Sequence, residues 1–253
     1  MRDRVAAKGV SPESIAVLPP WTRDTAVQYD PEGCAEFRSR HNLRHKFVVM
    51  YAGNHSPCHP LDTVLEAARR LRGETRIGFV FVGGGAEAAK VKQFAQDQAL
   101  DNVLCLPYQQ ENELAAVLSA ADLHLVVMGD AFRGIVHPCK IYGILAVGAP
   151  CLYIGPAESH VTDLAANAEI RVARHGAADE VAAHILDASA RQSRRSQANL
   201  AASRSFAQED LCAGLARLMT TLEGHPEPRC QPPWAAAAAA GASEEGAHTW
   251  NRS

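Results

Sequence analysis

From Phe47 onwards the chain alternates short, continuous apolar runs with stretches in which apolar residues return every three or four positions. FVVMYAG (47–53), IGFVFVG (77–83), NVLCLPY (102–108), DLHLVVMG (122–129) and CLYIG (151–155) have the length and composition of buried strands, and EIRVAR (169–174) predicts a sixth. Between them, LDTVLEAARRL (61–71) predicts an amphipathic helix with Leu61, Leu65, Ala68 and Leu71 inward. Ala86 to Gln98, NELAAVLSAA (112–121) and DEVAAHILDAS (179–189) predict three more helices. Strand and helix in regular alternation predict an α/β fold, a parallel sheet with helices on both faces and right-handed crossovers.

The two ends follow a different pattern. Residues 1–10 read as the end of a helix, SIAVLPPW (14–21) as one short strand and DPEGCAEFRSRHNL (30–43) as a short helix. These pieces do not make a domain. FAQEDLCAGLARLMTTL (206–222) predicts a terminal helix, and beyond Gly224 the Pro-, Ala- and Gly-rich sequence has no useful apolar period and predicts a disordered tail.

Composition narrows the function class. Among 253 residues, 47% are hydrophobic and the formal net charge is −3, with no basic face obvious, so the sequence gives nucleic-acid binding no electrostatic support. The seven cysteines are scattered and form no CxxC pair, which fits a reducing cytoplasm. Residues 1–15 are charged and lack the apolar run of a signal peptide, and no stretch is apolar and long enough to span a bilayer.

In such a sheet, ligands bind at the carboxyl ends of the strands. The loops expected there are GNHSPCHP (53–60), GGGAE (83–87), PYQQEN (107–112), GDAFRGIVHPCK (129–140) and GPAESHVTD (155–163). The fourth is the most informative. Pro138 suits a first helical turn, Lys140 follows it, Ile141, Ile144, Leu145 and Val147 recur at helical spacing, and Gly148 ends the helix. A loop feeding a helix start, with a lysine in it, fits a phosphate site. An ordinary loop with a surface lysine fits the same spacing. Gly83, Gly84 and Gly85 allow close backbone approach, and a tight turn explains them equally well. Neither GxGxxG nor GxxxxGK[ST] is present. His55, His59, His137 and His160 fall in these loops without metal-ligand spacing or companion carboxylates. His55 and His137 suit hydrogen bonds to a phosphate or sugar, and the expected cofactor and metal complement is none.

GNHSPCHPLDTVLEAARRL, FVFVGGG, NVLCLPYQ, LSAADLHLVVM and GIVHPCKIYGILAVGAPCLYIGP, in this order and spacing, resemble the donor-binding half of family 4 glycosyltransferases of the two-domain GT-B fold. The nearest type is the bacterial polysaccharide and O-antigen transferase whose motif reads P-S-K-x-Y. The resemblance implies a Rossmann-like donor domain over 47–223, preceded by a remnant of the N-terminal domain and linker (1–46) and followed by the tail (224–253). It implies transfer of a sugar, with retention, from a nucleotide-diphosphate sugar such as a UDP-sugar to a lipid-linked or polysaccharide acceptor. The enzyme would be cytoplasmic, or peripheral at the inner face of the cell membrane. Lys140 would stabilise the leaving diphosphate. Gly53, Asn54, His55, Gly83, Gly84, Gly134, Ile135, Val136 and His137 would line the donor site, and Tyr108 and Gln109 would lie near the base. The sequence departs from the family at Ile135 and Gly143, where two glutamates are usual, and at Asn54 and His59, where Arg and Lys are usual. Three readings stay open: a truncated transferase inactive alone, a subunit of a split transferase whose partner chain supplies the acceptor domain, and a non-catalytic nucleotide-sugar-binding pseudoenzyme.

Overall fold

In the computed structural model, residues 1–19, 27–191 and 195–222 are described; the predicted tail lies outside them. Six strands form one sheet: β1 (Phe47–Asn54), β2 (Ile77–Gly84), β3 (Val103–Leu106), β4 (Leu123–Val127), β5 (Cys151–Ile154) and β6 (Ile170–Ala173). Their order is β3-β2-β1-β4-β5-β6, and every pair is parallel. The predicted α/β class and parallel sheet are therefore present. The order reverses between β1 and β4, and the carboxyl ends of these two strands are where ligands bind in this topology.

Ten helices accompany the strands among the described residues: α1 (Arg2–Ala6), α2 (Pro31–Arg40), α3 (Asp62–Arg70), α4 (Ala88–Asp97), α5 (Leu114–Ser119), α6 (Lys140–Ala146), α7 (His160–Leu164), α8 (Ala178–Ala190), α9 (Gln197–Arg204) and α10 (Gln208–Leu222). Alternation along each strand sorts the core into two layers. Val49 and Tyr51 of β1, with Leu125 and Val127 of β4, pack under α3 and α8. Val48 and Met50 face Phe37 of α2 and Val117 of α5, while Val126 and Tyr153 pack with Ile141 and Leu145 of α6. The expected inward residues Leu61, Leu65, Ala68 and Leu71 are all buried.

Several local features differ from the sequence reading, among them helix α9, which it did not expect, and three others. SIAVLPPW forms no strand over 14–19; Pro12–Ser14 is a 3-10 turn, and Pro20 and Trp21 lie outside the described residues. A strand needs a hydrogen-bonding neighbour, and the sheet ends at β3 and β6. α7 replaces the expected loop at 160–164. It is started by Ser159 and Thr162, which satisfy each other's backbone N–H in a capping box. The helix that carries Lys140 begins at Lys140 itself, with Pro138 buried ahead of it and Cys139 as N-cap. Its end is as expected. Gly148 (φ 69°) donates to Leu145 O and Ala149 donates to Ile144 O, the paired bonds of a Schellman motif that needs a left-handed residue.

Candidate functional site

The carboxyl end of β1 and the loop after β4 meet at the switch point. The glycines there are dictated first by packing. At Gly83 (φ 130°) a Cβ would lie 2.1 Å from Gly53 O, and at Gly85 (φ 133°) it would lie 2.3 Å from Asn54 Oδ1. Glycine at 83 and 85 therefore lets the ends of β1 and β2 close on each other. At Gly53 (φ 125°) a Cβ would sit 3.4 Å from Lys140 Nζ, so the bare β1 backbone leaves room for the ammonium.

Lys140 is the central finding. The residue keeps some accessible surface, but its Nζ is buried and has no hydrogen-bond partner among the described residues. The ammonium lies over the ring of Tyr51, 3.6 Å from the centroid. Burial pushes its pKa down from 10.5 to about 7, and the Cys151 thiol opposes that shift. Of the two readings the spacing allowed, the ordinary surface lysine is not what the fold holds: α6 is anchored by buried Ile141, Tyr142, Ile144 and Leu145, and this anchoring draws Lys140 inward. The helix-start contribution is also smaller than the spacing suggested. α6 has seven residues, and the amides of Ile141 and Tyr142 are already spent on Pro138 O and Cys139 O.

The histidines of these loops take different parts. His55 is 2% exposed, lies edge-on to Tyr51 at 5.1 Å between ring centroids, and has an unpartnered Nδ1; its backbone N–H donates to Gly84 O. His59 Nδ1 bonds Val127 O at 2.6 Å, and His175 Nε2 bonds Met128 O at 2.9 Å, so both fix the end of β4. His124, within β4, is buried and bonds Leu118 O; burial lowers its pKa to about 4. His137 and His160 stack at 3.8 Å and both reach the Tyr142 hydroxyl, at 2.8 and 3.3 Å. Burial, with His137 beside it, lowers the His160 pKa to about 3, so this pair is neutral near pH 7. Among the described residues no three His, Cys, Asp or Glu side chains converge to hold a metal.

The remaining candidates line the rim. Asn54 is exposed, as is Ile135 at 49%, and Val136 is half-buried. Gly134 (φ 70°) passes under α1, where its Cβ would lie 3.1 Å from Arg4 Cδ. Tyr108 is 60% exposed; its hydroxyl donates to Gly84 O, and its ring lies over Gly84. Gln109 is half-buried and donates to Pro107 O. At Gly143 a Cβ would lie 3.1 Å from Leu118 Cδ1 of α5, so a side chain at the family's second glutamate position would press on Leu118. Tyr51, Tyr142 and His160 complete the site. They were not among the expected site residues. Tyr51 reads in the sequence as one more apolar strand residue, and only the fold brings it to Lys140. Two open grooves at the opposite edge share the Arg38–Asp122 pair and hold none of these groups.

An open parallel sheet with a buried, unpartnered lysine at its switch point places the protein among the α/β folds whose ligands bind at the carboxyl edge. The family model described as "Glycosyl transferases group 1" matches residues 35–201, and the chain belongs to that family. WcaI of Escherichia coli (strain K12), which carries the provisional name of a colanic acid biosynthesis glycosyl transferase, is 32% identical over 166 residues. The match covers 65% of this chain and 40% of WcaI, so the chain spans well under half the length of that relative. HepE of Anabaena, solved in complex with UDP and glucose, superposes with a TM-score of 0.74 at 16% identity, covering 87% of this chain and 60% of HepE. Sucrose-phosphate synthase of Thermosynechococcus elongatus gives 0.70 at 17% identity, covering 87% of this chain and 56% of that one. The fold is that of a Rossmann-like unit of GT-B glycosyltransferases. Among the described residues, no helix is long and apolar enough to cross a membrane.

Proposed function

We propose that this chain is the C-terminal, donor-binding half of a family 4 transferase, and that it binds a UDP-sugar at the switch point. The observation that carries this reading is the buried, unpartnered ammonium of Lys140 beside the bare backbone of Gly53. Three N–H donors without an acceptor are costly inside a protein, and a diphosphate supplies acceptors and opposite charge at once. In a retaining transfer the bond from sugar C1 to the diphosphate oxygen breaks, the acceptor hydroxyl oxygen bonds to C1 on the same face, and its proton passes to the departing diphosphate oxygen. Negative charge then grows on the leaving UDP, where a preorganised cation in a dry site is most effective. Lys140 fills that part, and Tyr108 offers an open aromatic face for the base. HepE, of the same fold, has been solved with UDP-glucose, which supports a uridine nucleotide as the first ligand to try.

The acceptor is read as lipid-linked or polysaccharide, met at the cytoplasmic side of a membrane with which the protein associates peripherally. The WcaI likeness supports this, and the share of WcaI covered leaves room for an acceptor-binding part beyond these residues. Calorimetry with UDP and UDP-glucose tests the donor reading. Expected is a measurable dissociation constant that rises at least tenfold in Lys140→Ala. No heat with any UDP- or GDP-sugar at millimolar concentration overturns the reading, and unchanged affinity in Lys140→Ala removes Lys140 from it.

A further inference from the structure

The ring under Lys140 is built as firmly as the lysine is left unpaired. Tyr51 is fully buried, its hydroxyl donates to Asn54 O at 2.8 Å, and its ring is flanked by His55 and Phe81. We propose, building on the donor site above, that Tyr51 is a positioning residue: its ring holds the Lys140 ammonium at the switch point while the site is empty and releases it to a phosphate oxygen when the donor binds.

The argument rests on what an aromatic face does and does not offer. Its quadrupole attracts a cation, yet it is no match for a true hydrogen-bond acceptor for the three ammonium N–H groups. A carboxylate in the same place would form an ion pair that an incoming phosphate must break. The ring fixes the position of the ammonium without that competition. The other groups facing the lysine do not compete either. His55 and His59 from the loop after β1, and His124 from β4, are desolvated and lie near enough for the lysine to depress their protonation further. The Cys151 thiol of β5 is buried, and its pKa is raised by that burial. No carboxylate is among the groups that shift the Lys140 titration. With the ring as its only partner among the described residues, the lysine gives up its proton far more readily than a solvated one, and phosphate binding draws a proton back onto Nζ.

Two substitutions separate the ring from its hydroxyl. Tyr51→Leu keeps bulk and removes the π face; Tyr51→Phe restores the face and loses only the bond to Asn54 O. We expect UDP affinity at pH 7.5 to fall about tenfold in Tyr51→Leu and to return to within about twofold in Tyr51→Phe. The loss should shrink below pH 6, where solvent protons keep the lysine charged without the ring. Calorimetry in buffers of different ionisation enthalpy should show more protons taken up per UDP in Tyr51→Leu than in wild type. Wild-type affinity and pH profile in folded Tyr51→Leu overturn the proposal. If Tyr51→Leu does not fold, the wild type decides by NMR. The Lys140 Cε protons should carry an upfield ring-current shift that UDP relieves; no such shift, or one that persists at UDP saturation, overturns it. Lys140→Met keeps the two ideas apart: it weakens UDP binding at least tenfold if Lys140 serves the donor site, whatever Tyr51→Leu does. A wild type that binds no UDP overturns both.

Discussion

Two cations sit at opposite edges of the same sheet and are treated in opposite ways. At the amino edge, Arg38 of α2 donates through Nε to Ala120 O at 2.9 Å and pairs through Nη2 with Asp122. The same Asp122 oxygen accepts the backbone N–H of Val48 at 2.7 Å, so one ion pair ties α2, β1 and the start of β4 together. At the carboxyl edge, the Lys140 ammonium faces the Tyr51 ring and has no hydrogen-bond partner among the described residues. A cation that serves the fold has its donors used within the fold. A cation kept without acceptors lowers stability and is retained for what it meets. On the donor-site reading proposed above, the carboxyl edge carries the chemistry, although two open grooves lie at the other one.

Removing the lysine tests this contrast with the largest expected effect. Its pKa is about 7 in the folded chain against 10.5 for a free lysine, so between those values the unfolded state binds more protons and stability rises with pH. Below pH 7 both states are protonated, and the fold carries the full cost of the buried charge. Lys140→Met should therefore raise stability by on the order of 3 kcal/mol at pH 6, with the gain shrinking towards zero as pH approaches 10.5. Denaturant melts at pH 6, 8 and 10 measure it. Destabilisation at pH 6 would show that the ammonium is satisfied, and the contrast would fail.

Asp122→Ala probes the other edge and should go the opposite way. It leaves Arg38 Nη2 and the Val48 N–H without their acceptor in a partly buried setting, while Arg38 Nε keeps Ala120 O. The expected loss is about 2 kcal/mol, with UDP affinity unchanged. Weaker UDP binding in a folded Asp122→Ala protein would mean that the two edges are coupled.

How much of this was legible in the sequence follows from which interactions are local. The strands were legible because both faces of a central parallel strand are buried, giving continuous runs such as FVVMYAG. The end of α6 was legible because Gly148 supplies the left-handed residue the stop requires. The strand expected at 14–21 was misread because apolar content cannot say whether a pairing neighbour exists. α7 was missed because it is only five residues long and its capping box uses Thr162 where Glu or Gln is the usual signal. Lys140 was found as a residue but not as an environment: its burial depends on the α6 core anchors and on a ring from β1. The loop histidines were visible as a group. That His59 holds the Val127 carbonyl while His137 stacks on His160 is decided by contacts distant in sequence.

The smallest effect concerns the rim, where no buried group is involved. Tyr108 has its hydroxyl tied to Gly84 O at 3.0 Å, which sets the ring against the β2 end while most of the residue faces solvent. Little of the fold depends on it, so Tyr108→Ala should change stability by less than about 0.5 kcal/mol. An aromatic face held open beside the phosphate position is useful only if a planar group covers it. UDP affinity in Tyr108→Ala should therefore fall about three- to tenfold, and Tyr108→Phe should recover most of it. Inorganic pyrophosphate, which has no base, should bind both variants like the wild type. Equal losses for UDP and pyrophosphate would place Tyr108 at the phosphates, and no loss for UDP would take the base away from this ring. The expected pattern separates the two halves of the ligand: Lys140 governs affinity for any diphosphate, and Tyr108 governs only what is attached to it.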